Sequence, residues 1–254
     1  MRQGAAPDLR LDPDAACTRQ RLTERADCLI FDQALSDPEA LVAWAASRRG
    51  EFFMPERAYP GLVLPLGDEE AGGLHAFVRS RLSREFRFLR EGTDTQSQLS
   101  LVTLHPEDLG WCQRLPHAHP HTRDGRMSVA LTLYLFEDPL LGGTGFYRWR
   151  DPELASEIAE RQQDEGGPEP TEAPDRIADS SLAPVYTTDS NEAVELIAHV
   201  PARFNRLVAY PGDVPHAAFI RHPERLTTDP TTGRLTLNCF ARTTPLPDSE
   251  VPIG

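Results

Sequence analysis

No run in this chain approaches the roughly eighteen consecutive apolar residues of a helical membrane span, so no helical span and no membrane partner are expected. The start, Met1-Arg-Gln-Gly-Ala-Ala-Pro-Asp, also lacks the apolar stretch of a secretory leader, and a cytoplasmic location is the expectation. Cysteine is sparse and scattered. Cys17, Cys28, Cys112 and Cys239 include no Cys-x-x-Cys pair, which argues against a thiolate zinc site or a dithiol redox centre. Cys28 and Cys239 lie in apolar runs and read as small core residues, with no disulfide expected. Positive charge is in deficit too, with 26 Lys and Arg against 39 Asp and Glu and a net charge of −13. Nonspecific nucleic-acid binding depends on basic groups that displace phosphate counterions, so it is not expected. The composition that remains, 254 residues at 39% hydrophobic, is that of a globular chain able to bury one substantial core.

Hydrophobic periodicity divides the chain. Residues 1–25 are polar, rich in Pro, Arg and Asp, and aperiodic, which predicts a flexible N-terminal arm. Cys28–Phe31 is a short strand candidate. Ser36-Asp37-Pro38-Glu39 then reads as a capping box opening a helix whose apolar face holds Leu41, Trp44 and Ala45. Leu74, Phe77, Val78, Leu82 and Phe86 fall on one stripe of a second helix. From about residue 97 the period becomes two, with Leu99 and Leu101 on one face and Ser100 and Val102 on the other. Further strands are predicted at Met127–Phe136, Thr144–Trp149, Phe204–Tyr210, Val214–Ile220 and Arg234–Arg242.

Several strands preceded by helices predict a mainly β fold, a sandwich or jelly roll with an N-terminal helical buttress. The expected organisation is one domain over 26–246 and a tail at 247–254. An insertion at 151–200 interrupts the domain, with a charged helix at Pro152–Glu165, a Gly/Pro/Glu-rich tract at 166–175 and a short helix at Asn191–Ala198. A connection this long inside a compact fold is expected near a pocket mouth. Asn205 and Arg206 are candidates to fix that insertion by hydrogen bonds.

Three histidines carry the chemistry. If Leu115-Pro-His-Ala-His-Pro-His121 is extended, His117 and His119 point to one face roughly 6–7 Å apart, and His216 from another strand can close a facial metal site. Such a site leaves open positions opposite the donors for a co-substrate and oxygen. His121 offers a second His-x-His register, disfavoured by Pro120, and Asp124 is an alternative third ligand. Arg234 is a possible carboxylate anchor. Asn238 shares its strand face, and Arg148 and Arg150, two apart, are candidate contacts for an acidic substrate group. His75, His105, His199 and His222 read as structural or solvated.

Ala130-Leu-Thr-Leu-Tyr-Leu135 followed by Gly142-Gly-Thr-Gly-Phe146, with Phe204-Asn-Arg through Pro215-His216, resembles the strand pattern of prolyl-4-hydroxylase-like 2-oxoglutarate/Fe(II) oxygenases. Pro116-His117, Gly-Gly-Thr-Gly-Phe-Tyr-Arg148, Phe-Asn-Arg206 and Gly233-Arg-Leu-Thr-Leu-Asn238 together are similar to an uncharacterised bacterial family assigned to that superfamily, over about residues 28–242. The resemblance implies a double-stranded β-helix, Fe(II) and 2-oxoglutarate as cofactors, and a His-x-Asp…His triad matched by His117 and His216. It also implies that Arg234 pairs with the distal carboxylate of 2-oxoglutarate, with Thr236 as hydroxyl partner and Tyr134 as a pocket tyrosine.

Position 119 departs from that pattern, with histidine where the family has a carboxylate. The donor set becomes neutral and the metal more electron-poor. The implied activity is hydroxylation of an amino acid, peptide or specialised metabolite. Two alternatives stay open: a three-histidine metal dioxygenase that does not use 2-oxoglutarate, and a noncatalytic binding protein on the same fold.

Overall fold

The computed structural model describes residues 6–55, 59–89, 93–119, 127–163 and 184–243, and within them ten strands form two antiparallel sheets. The larger sheet runs in the order β1 (Cys17–Arg21), β2 (Asp27–Phe31), β8 (Arg206–Pro211), β5 (Met127–Tyr134), β10 (Arg234–Thr243), β4 (Asp94–Val102) and β3 (Gly61–Leu66). The smaller consists of β7 (Val194–Pro201), β6 (Gly143–Trp149) and β9 (His216–Phe219). The expectation of a mainly β fold with flanking helices holds at this level.

A strict two-residue alternation makes the larger sheet two-faced. On β10, Leu235, Leu237, Cys239 and Ala241 enter one apolar core, while Arg234, Thr236, Asn238 and Phe240 line a cavity on the opposite face. On β5 and β8, Leu131, Leu133, Leu207 and Ala209 join the first core, whereas Tyr134, Val208 and Tyr210 join a second. The first core is closed by helices. Leu41, Trp44 and Ala45 of α1 (Pro38–Ser47) and Leu74 and Phe77 of α2 (Asp68–Phe77) pack against Leu29, Phe31 and Leu99 of the sheet. α2 continues through a π turn at Val78–Leu82 into α3 (Ser83–Glu85), so the predicted stripe from Leu74 to Phe86 holds although the helix is not regular throughout. The second core lies under the smaller sheet, whose Phe146 and Val200 meet Val208 and Tyr210.

Four expectations are corrected. The arm at 1–25 is not loose where it is described: β1 pairs with β2 across five residue pairs, and Leu9, Leu11 and Leu22 are buried. Leucines spaced among prolines and aspartates escaped a periodicity test, yet Leu9 and Leu11 bury apolar area in the core that the helices close and Leu22 does so in the second core. The cap of α1 is Asp37, whose Oδ1 accepts from Ala40 N at 3.0 Å, while Ser36 Oγ donates to Arg10 O. Asn191–Ala198 is not a helix. Asn191 Oδ1 accepts from the backbone N–H of Ala193 and Val194, and the chain then runs as β7 along β6. A helix of this length is marginal on its own, whereas an open sheet edge offers every backbone group a partner. Asn205 and Arg206 fix the β2–α1 loop, not the insertion: Asn205 exchanges two bonds with Leu35, and Arg206 grips Asp32. α4 (Pro152–Gln163) matches the first predicted insertion helix, and the tract at 166–175 and the tail at 247–254 lie outside the described residues. Among the described residues no helix is long and apolar enough to cross a membrane.

Asn205 combines an unusual backbone conformation with a buried bracing role. It adopts φ 60° in the left-handed region, which asparagine tolerates better than most residues, and its buried amide accepts from Leu35 N at 2.8 Å and donates to Leu35 O at 2.9 Å. Asn205→Ala removes both bonds and leaves the backbone of Leu35 unsatisfied, so unfolding free energy measured by urea denaturation is expected to fall by roughly 2–4 kcal/mol. A change within experimental error would show that the amide does not brace this loop.

Candidate metal centre

The segment carrying His117 and the start of β9 meet as an isolated antiparallel bridge. His117 N donates to His216 O at 3.0 Å and His216 N returns a bond to His117 O at 2.8 Å. Two residues on, His119 N donates to Gly212 O, and Ser128 Oγ donates to His119 O. With both backbones pinned, residues 117 and 119 share a face. The three rings lie 4.3–5.6 Å apart between centroids, and one ring nitrogen from each falls within 4.8 Å of the others.

The local hydrogen bonding fits a cation. His216 Nδ1 donates to Val214 O at 2.9 Å, which leaves its Nε2 lone pair free, and His119 Nε2 is buried with no partner among the described residues. Nitrogens that share one ion at bonds of about 2.1 Å sit about 3 Å apart, within reach of small ring movements from the observed arrangement. Burial holds the His117 imidazole down to about 4 and His119 to about 3, and keeps His216 well below its ordinary value. All three rings are therefore neutral at neutral pH, the state that donates to a metal. Phe240 packs against His119 and Tyr210 against His216, which fixes the ring planes from behind.

The histidines open onto a cavity of about 310 Å³ between the two sheets, and Arg234 lines the same space. Arg234 is only 4% exposed. Nε donates to Leu141 O at 3.0 Å, Nη2 donates to Gly143 O at 2.7 Å, and the group lies over Phe136. The two carbonyls flank Gly142, whose φ of 86° and contact with Phe219 O leave no room for a side chain. Among the described residues no carboxylate pairs with Arg234. A buried cation supported only by carbonyls retains donors for an anion.

Next to it, Thr236 Oγ1 donates to Ser100 O and accepts from Asn238 Nδ2. Asn238 stands in register with Gln98 on β4 and Thr132 on β5, so one row of neutral polar side chains crosses the cavity floor. His117, His119, His216, Arg234, Thr236 and Asn238 thus line one cavity.

Other candidates do not reach the cavity. Tyr134 lies beneath the wall, its hydroxyl bonded to Thr144 Oγ1 at 2.6 Å, whereas Tyr59, Tyr186 and Tyr210 line the space, Tyr59 and Tyr186 near Arg234. The Tyr59 hydroxyl is buried close to Ser100 and Thr236 without a hydrogen bond of normal geometry, and burial pushes its pKa up to about 12. Tyr59 comes from a loop before β3 and carried no sequence signal. Arg148 and Arg150 are exposed, the first paired with Glu195 at 2.7 Å and the second donating to Asn191 O, because the end of β6 turns them to solvent. His75 is buried on Ser97 and His222 pairs with Glu224 at the surface. His121 and Asp124 lie outside the described residues.

A family model described as "Family of unknown function (DUF6445)" matches residues 13–241, and the chain belongs to that family. No curated protein matches it. Among solved structures, EvdO2 from Micromonospora carbonacea var. aurantiaca is similar at a TM-score of 0.42 and 12% identity, with 89% of this chain and 90% of that chain covered. A likeness this remote carries no argument about the site.

The depressed histidines make a pH prediction. The unfolded chain takes up protons near the ordinary imidazole value while the folded rings refuse them, so their contribution to stability is complete above about pH 6.5 and is lost as pH falls toward about 4. Chelator-treated protein is expected to unfold at lower urea concentration at the acid end of that window. Replacing His119 by Gln should flatten the dependence; identical slopes for the two proteins would show that the ring titrates normally.

Proposed function

We propose that this chain is a non-haem Fe(II)/2-oxoglutarate-dependent oxygenase whose two sheets form a double-stranded β-helix. One observation carries the reading: three converging imidazoles and a buried guanidinium, unpaired by any described carboxylate, line a single cavity. His117, His119 and His216 would hold the iron, and bound Fe(II) would supply the oxygen activation that side chains cannot. Arg234 would clamp the distal carboxylate of 2-oxoglutarate, oriented by the carbonyls of Leu141 and Gly143. Thr236 and the unpartnered Tyr59 hydroxyl border that end of the cavity and would complete the cradle. The overall reaction consumes oxygen and 2-oxoglutarate, releases succinate and carbon dioxide, and leaves one oxygen atom on the substrate as a hydroxyl.

The protein's part is orientation and exclusion of water. Gln98, Thr132 and Asn238 offer hydrogen bonds without charge to a polar substrate, which we take to be an amino acid, a peptide or a specialised metabolite. One observation favours a second reading, a three-histidine dioxygenase that binds its substrate without 2-oxoglutarate: position 119 supplies no carboxylate. Against it stands Arg234, since a buried guanidinium aimed into the cavity needs an anion.

Succinate formation from 2-oxoglutarate by the Fe(II)-loaded protein tests the proposal. Arg234→Gln is expected to raise the KM for 2-oxoglutarate by roughly 100-fold, with metal content unchanged once 2-oxoglutarate is saturating, and His119→Ala is expected to lose the metal even then. Substrate oxidation without succinate would select the second reading. A wild-type protein that retains no metal even with saturating 2-oxoglutarate would leave only a binding role.

A further inference from the structure

Formal charge in the cavity is one-sided. Of the described residues that line it, only Arg234 bears a permanent charge, and no Asp or Glu is among them. The three donors are neutral imidazoles, so a divalent ion placed among them adds two positive charges to the guanidinium's one. Nothing on the described wall offsets any of the three. Charge held at buried groups such as these is costly unless it is paired. The 2-oxoglutarate dianion would remove two of these charges at once, one end beside the metal and the other on Arg234. Had position 119 been a carboxylate, the chain itself would have supplied one negative charge before any ligand arrived.

We infer that the neutral ligand at His119 makes metal retention conditional on the dicarboxylate, so that the two are held as one charge-compensated unit and neither is bound firmly alone. This rests on the oxygenase reading of the same cavity and adds its thermodynamic consequence. Linkage requires the effect to be reciprocal: the factor by which 2-oxoglutarate tightens the metal is the factor by which the metal tightens 2-oxoglutarate. Chelation by the keto acid contributes to that factor in any such site. The charge contribution is the part that residue 119 controls.

Mn(II), which binds without turnover, serves as the probe, titrated calorimetrically into the full-length metal-free protein with and without 2-oxoglutarate. The dicarboxylate is expected to tighten Mn(II) by more than about tenfold, with the same factor recovered in the reverse titration. In His119→Asp, Mn(II) alone binds more tightly than in the wild type and the coupling factor drops by about tenfold. Glutarate has both carboxylates but no keto oxygen, and it should still tighten Mn(II) in the wild-type protein by about fivefold. That arm does not depend on the variant folding. Equal Mn(II) affinity with and without 2-oxoglutarate, no effect of glutarate, or an unaltered factor in His119→Asp would each overturn the inference. So would weakened binding of Mn(II) alone in Asp124→Asn, because the chain would then be supplying the anion itself. These failures differ from failure of the oxygenase reading, in which 2-oxoglutarate gives no binding heat at any Mn(II) concentration.

Discussion

Two backbone hydrogen bonds between His117 and His216 hold this site together, and everything proposed for it follows from their geometry. They join a short segment before β5 to the first residue of β9, positions about a hundred residues apart in the chain. The bond from His119 N to Gly212 O extends the pairing by one pleat, so a second imidazole arrives on the same side as the first. Side-chain rotamers supply the final adjustment. The convergence itself is a property of main chain, and it leaves His119 Nε2 buried with no partner among the described residues.

The larger sheet contributes the other half of the site through its pleat. Burying Leu235, Leu237, Cys239 and Ala241 under the helices obliges Arg234, Thr236, Asn238 and Phe240 to face the cavity. A slip of one residue would push the guanidinium into the helical core and four apolar side chains into the polar space, an exchange no compensating contact could offset. Arg234 is therefore positioned by the packing of residues that lie outside the cavity. Gly142 finishes the arrangement, because its left-handed turn directs Leu141 O and Gly143 O onto Arg234.

Electrostatically the cavity is unfinished. Neutral donors at one end and an unmatched guanidinium at the other leave a deficit of negative charge among the described wall residues, within a chain whose net charge is −13. The acidity of the chain lies elsewhere, on solvated surface such as Glu195 and Asp32, where it meets arginines at the exterior. With anions outside and the Arg234 guanidinium inside, the proposed site would favour a small organic acid, while long-range charge is screened by water and salt.

How much of this was legible in the sequence depended on how local the signal was. Alternation over eight to ten residues announced β4, β5 and β10, and the same alternation placed Arg234, Thr236 and Asn238 on one face. His117 and His119 could be paired because a spacing of two is itself a statement about direction. Tyr59 could not be found, since it enters from a loop whose position depends on β3 joining the sheet edge. Tyr134 was placed on the correct face but at the wrong depth, because Thr144 of the opposite sheet takes its hydroxyl. Asn191–Ala198 was read by local helical preference and became a strand when β6 presented an unfilled edge. Residue identity and period, which act over a few ångströms of chain, thus determined the strands, the His117–His119 pairing and the face on which Arg234 lies. Depth, partner and neighbour were decided only when distant segments packed, because a hydrogen bond or a buried contact between residues far apart in sequence has no local precursor to read.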